Sequence, residues 1–226
     1  MLFRSPSSAR PTEHQELGGS GFLRRGALRY QLLVPSYTVM FAFFLILTVG
    51  WLFTAERRQG TLKRLRAAPL SWGEILLGKF LPCLFLSVGQ GVFLLLAGKV
   101  VFGMSWGPEP LWLLLVVFST SLAAMGLALL VAAWARTEMQ VAIYGMLLAL
   151  LLAGLSGCLM GDRSLMPEQM QEISRITPHA WALDAYRQLL TNPSPNYKIV
   201  ARACAVLAGF GVGFMLLAWQ GLKRQE

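Results

Sequence analysis

Apolar residues in this chain come in long runs separated by short polar interruptions. Windows of about 20 apolar residues, the length a helix needs to cross a hydrocarbon layer of roughly 30 Å, fall at 35 to 54, 76 to 102, 111 to 134, 139 to 160 and 200 to 221. None of them alternates with the period of two that a barrel strand requires. Lipid offers no partner to backbone N–H and C=O groups, so each run is expected to be a helix. The fold class read from this pattern is all-α: a polytopic membrane protein with five transmembrane helices. Residues 1 to 33 read as a polar, basic N-terminal tail, and 34 to 226 as the membrane domain.

Composition supports the membrane reading, because 55% hydrophobic against 14% charged residues leaves too little polar surface for a soluble domain. Cys83, Cys158 and Cys204 fall in three different apolar runs and lack metal-ligand spacing. They read as packing residues, so neither a disulfide frame, a zinc site nor any cofactor is expected. Residues 1 to 33 hold no apolar run behind a basic start, and no secretory signal peptide is read there.

Charge changes the picture at one place. The stretch AERRQGTLKRLRAAPLSWGEILLGK, residues 55 to 79, packs Arg57, Arg58, Lys63, Arg64 and Arg66 between two apolar runs. Short loops rich in Lys and Arg stay cytoplasmic, each basic side chain near anionic headgroups gaining about 1 kcal/mol. Alternation from there places 103 to 110 outside, Arg136 inside, 161 to 199 outside and the terminal LKRQE inside. Arginines in the tail and in 161 to 199 balance the total count, so the orientation rests on the density of charge in this one loop. Within the stretch, Leu62 and Leu65 are three apart and share one helical face, with basic residues on the others, as in a short helix lying on a surface. Pro69 ends it, and Ser71 followed by Glu74 forms a capping-box pattern that opens the next helix.

Glu56, then Gly60-Thr61, then Pro69-Leu70-Ser71 make this stretch resemble the cytoplasmic segment between the second and third spans of ABC type-2 exporter permeases. The later run MPEQMQEISRITPHAWALDAYRQLL, residues 166 to 190, resembles the same family's external segment before the last span. The likeness extends from about residue 30 to the C-terminus. It implies a multidrug-type export permease subunit in a bacterial inner membrane, with residues 56 to 67 as the coupling helix that docks on a separate ATPase chain. Glu56, Gly60, Thr61 and Leu62 would mark that helix, with Leu65 on its apolar face. Arg57, Arg58, Lys63 and Arg64 would touch the ATPase or lipid heads. A second permease subunit would complete the path as a dimer. The expected partners are therefore the ATPase, the second permease and membrane lipids, and no nucleic acid.

The external segment has a mechanical pattern of its own. Pro167 suits a first helical turn, and Met166, Met170 and Ile173 recur at helical spacing up to the break at Thr177-Pro178. A second short helix carries Trp181, Ala185 and Leu189 until Asn192 and Pro193 stop it. Each piece is too short to cross the bilayer, so the pair is expected to lie in the interface or dip back as a helical hairpin. The family resemblance implies re-entrant helices here, near the exit of the transport path.

Inside the spans, Ala149, Ala153 and Gly157 fall four apart, as do Ala205, Gly209 and Gly213, and both stripes predict close helix contacts. Lys99 is placed to snorkel from the outer end of its span, while Gln90 stands as an intramembrane polar group of open role.

Two other classes compete with the permease. Gly154 to Gly157 reads GLSG, a pattern of intramembrane serine proteases, but their base is a histidine from a later span and 200 to 221 contains none. His179 and Asp184 could in principle form an acid–base pair, but no nucleophile with matching placement accompanies them. A channel or scaffold without an ATPase would use the basic loop for topology alone. The chain has no P-loop, so ATP hydrolysis is expected on another chain and no catalytic residue is assigned. Relatives in the family generally have six spans, and the absence of an apolar run in 1 to 33 suggests a truncated reading frame lacking the first one.

Overall fold

The computed structural model describes residues 20–60, 69, 72–160 and 166–223. Its helices are α1 (Ser20–Arg58), α2 (Trp72–Phe102), α3 (Pro110–Trp134), α4 (Glu138–Leu155), α5 (Glu168–Ser174), α6 (Pro178–Thr191) and α7 (Tyr197–Lys223), with one 3-10 turn at Cys158–Met160. The described residues contain no strand. Among the described residues, five helices are long and apolar enough to cross a membrane: Arg29–Glu56, Gly73–Phe102, Pro110–Trp134, Glu138–Leu155 and Tyr197–Gly221. The all-α, polytopic reading holds.

Two boundaries differ from expectation. The first helix begins at Ser20, well inside the stretch read as a tail. Hydropathy marks where a helix enters lipid, whereas Leu23, Arg24, Arg25, Ala27 and Leu28 are good helix formers that carry the backbone hydrogen bonding further out. The fourth apolar run stops being α-helical at Leu155 instead of continuing to 160. Gly157 adopts φ +75°, a left-handed conformation that ends a right-handed helix.

Helix α3 is the centre of the bundle. Of its apolar window 67% is buried, against 44% for α1 and 22–28% for the other three spans. Pro110 opens α3, where its missing N–H leaves no hydrogen bond unmade. The longest contact is with α7, where backbones touch: a Cβ on Gly126 would lie 2.5 Å from Gly211 O, and one on Gly211 would lie 2.8 Å from Leu122 O. The expected contact stripe on α7 is therefore corrected. Ala205 and Gly209 are exposed, and neither Gly209 nor Gly213 has any atom within 4 Å of a would-be Cβ. The stripe on α4 does pack inward. Val141, Gly145, Ala149 and Ala153 are buried, with Gly145 close to Ile46 and Val141 close to Gly50 of α1. Between α2 and α3 the Ser87 hydroxyl donates to Ser121 Oγ at 2.9 Å.

The two ends of the bundle are distinct. At one end, Arg58 of α1 approaches Glu138 at the start of α4, and Gly221 of α7 packs on Trp134. Thr137 caps α4 by accepting from Gln140 N, and Gln140 Oε1 accepts from Arg136 N at 2.8 Å. At the other end, the loop 103–109 meets α6, where Gly107 at φ +72° lies against Leu189 O too closely for a side chain. This grouping matches the alternation of loops read from the sequence.

Candidate functional site

The basic segment is framed by the ends of α1 and α2. Glu56, Arg57 and Arg58 occupy the last turn of α1. Gln59 N still donates to Ala55 O at 2.9 Å, and Gly60 at φ +72° then breaks the helix. The separate helix expected to start at Glu56 is thus corrected at that end: its first three residues continue the first span. Thr61, Leu62, Lys63, Arg64 and Leu65 lie outside the described residues, as does the Arg57 side chain.

Glu56 turns toward the neighbouring helix, and its carboxylate forms an ion pair with the Lys79 ammonium of α2. The two side chains are 34% and 14% exposed, and Lys79 Nζ also sits 4.7 Å from the centre of the Phe53 ring. Phe53 and Glu56 are three apart, so one face of α1 presents both groups to the same lysine. Arg58 and Glu138 make a second, looser pair at 3.5 Å, with the Arg58 side chain 82% exposed. Such a pair contributes little stability. A cleft beside it is lined by Thr54, Arg58, Arg136, Thr137 and Glu138.

The opposite end carries the two short helices α5 and α6. Pro167 precedes α5, whose Met170 and Ile173 are exposed while Met166 is buried. The Thr177 hydroxyl donates to Ser174 O at 2.7 Å and accepts from Ala180 N at 3.4 Å, closing α5 and capping α6. Pro178 takes the first position of α6. Helix α6 buries Ala182, Ala185, Tyr186, Leu189 and Leu190 in a core shared with α1, α3 and α7. Trp181 donates through Nε1 to Arg175 O at 2.8 Å, and the Arg202 guanidinium lies 5.9 Å from its ring centre. Asp184 is half-buried.

His179 stacks on Phe43 with ring centres 3.8 Å apart, and neither ring nitrogen has a hydrogen-bond partner among the described residues. Burial pushes its pKa down to about 3, so the ring is neutral. Ser156 donates its hydroxyl to Ala153 O at 3.0 Å. No hydrogen bond links Ser156 or Asp184 to His179, and the arrangement offers neither a Ser–His nor a His–Asp pair. Lys99 lies 4.5 Å from the Trp106 ring centre, near the end of α2. Gln90 is half-buried.

The role of Lys79 was not apparent from the sequence. A lone lysine in the first turns of an apolar run, opposite a lone glutamate at the end of the preceding run, was the signal available, and only the packing of α1 on α2 joins them.

A profile of the family described as ABC-2 type transporter matches residues 16–191. The chain belongs to this family, and with five spanning helices it is a multi-pass membrane protein. Among known proteins it is similar to the linearmycin resistance permease protein LnrN of Bacillus subtilis (strain 168), with 26% identity over 174 residues. That match covers 77% of this chain and 44% of the relative, so the chain spans less than half of that protein's length.

Proposed function

We propose that the chain is the permease subunit of an ATP-driven exporter in a bacterial inner membrane. The observation that carries this reading is the extent of the family match, which runs through both the basic segment and the α5–α6 hairpin. The resistance permease among its relatives favours outward movement of a harmful compound. ATP is hydrolysed on a separate chain, and residues 56 to 67 carry the contact with it. Glu56 to Arg58 deliver that movement directly into α1, since they are its last turn. A second permease subunit completes the path. The end bearing Arg58 and Arg136 faces the cytoplasm, and the α5–α6 hairpin lies at the exit.

Leu62→Asp tests the docking. A charge placed in an apolar cleft without a partner weakens assembly by roughly several kcal/mol, so an ATPase subunit that copurifies with the unaltered chain is lost, whereas Arg66→Gln leaves it bound. Unchanged copurification with Leu62→Asp rejects the docking role and leaves the segment as a topological anchor.

A further inference from the structure

The chain leaves α1 after Arg58 and returns as α2 at Trp72, so whatever acts on residues 59 to 71 pulls on two helix ends at once. Among the described residues, an ionic contact from Glu56 to Lys79 joins those ends. Glu56 Oε2 and Lys79 Nζ are both shielded from solvent, and neither has a hydrogen-bond partner beyond this contact among the described residues. The Phe53 ring lies beside the ammonium. The buried ammonium therefore depends on the Glu56 carboxylate, and separating the two helix ends would leave Lys79 without its counter-charge. Helix α2 also buries the apolar residues Ile75, Phe80 and Leu84.

We propose that Glu56 and Lys79 form an ionic clasp that makes the adjoining ends of α1 and α2 move as a single arm, so that displacement of the segment between them reaches both helices together. Both are positioning residues. The clasp rests on the permease reading for its role in coupling, but its effect on the spacing of the helix ends does not.

The experiment uses the full chain, freed of its three native cysteines, with spin labels at Gln59→Cys and Gly73→Cys, both exposed positions. Glu56→Lys, Lys79→Glu, the exchanged double variant and the milder Glu56→Gln are compared with the unaltered pair. In lipid nanodiscs the label-to-label distance should be narrow for the unaltered chain, broad for each single variant and narrow again for the exchange. With the ATPase subunit present, Lys79→Glu, at a residue outside the docking segment, should retain ATPase binding but lower substrate moved per ATP by about tenfold, the scale of a typical coupling between sites, and the exchange should restore it. A single variant with an unchanged distance distribution, or an exchange that fails to restore it, overturns the clasp. If no ATPase binds the unaltered chain, the permease reading fails, while the distance measurement still decides the clasp.

Discussion

The contact between α3 and α7 allows a quantitative test of how this bundle is held. Gly126→Val adds a Cβ that would sit 2.5 Å from Gly211 O and 3.1 Å from Gly211 Cα. A carbon tolerates a carbonyl oxygen at about 3.3 Å or more, so the helices must separate by roughly 0.8 Å along this line. The valine has little freedom to turn its methyls away, because branching at Cβ restricts it to one favoured rotamer in a helix. A gap of about 0.5–1 Å forfeits a quarter to a half of the dispersion energy of the atoms on either side. Lipid-embedded helices have no hydrophobic gain between them to offset that loss. Overpacking of this kind costs about 1–3 kcal/mol, and the upper half of that range applies here because the obstruction is backbone. Gly209→Val is the control: Gly209 is exposed and has nothing within 4 Å of its would-be Cβ, so its change should stay within about 0.5 kcal/mol. Reversible unfolding of the detergent-solubilised protein by SDS titration, followed by circular dichroism, measures both. Equal destabilisation by the two substitutions would refute the assignment of the α3–α7 contact to Gly126 and Gly211.

Acidification should weaken the fold through His179. Its folded pKa of about 3 lies below the unfolded value near 6.5, so its contribution is fully present above pH 6.5 and is lost as pH falls toward 3, by up to about 1.4 kcal/mol per unit. The unfolding midpoint should fall between pH 7.5 and 5.5 in the unaltered chain, and His179→Phe, which keeps a ring against Phe43, should flatten that dependence; an equally steep dependence in the variant assigns the effect elsewhere. Orientation is tested by single cysteines at Gln59 and at Glu172, both exposed, in the cysteine-free chain. An impermeant thiol reagent applied to intact cells should label Glu172→Cys and spare Gln59→Cys, and the opposite pattern rejects the proposed sidedness.

Much of the architecture is legible in the sequence because the membrane makes it a local problem. A span must be about 20 residues long and must satisfy its own backbone, so runs of apolar residues announce the five helices and their order. The break between α5 and α6 is legible for a similar reason: Thr177 and Pro178 carry their own instructions, a hydroxyl that caps and a ring that suits a first turn.

What the sequence left open is which faces meet. In water the buried face of a helix is its apolar face, but a helix in lipid is apolar all round, and periodicity no longer separates a packed face from a lipid-facing one. The spacing of Gly209 and Gly213 looked like a contact, yet neither has an atom within 4 Å of a would-be Cβ, while Gly211 between them meets α3 backbone to backbone. Glu56 looked like the start of a separate helix, and the packing of α1 on α2 gave it to Lys79 instead. His179 looked available for acid–base chemistry until α6 folded it against Phe43, away from any hydrogen-bonding group. Each of these outcomes depends on volumes and distances between residues far apart in the chain, which only the assembled bundle determines.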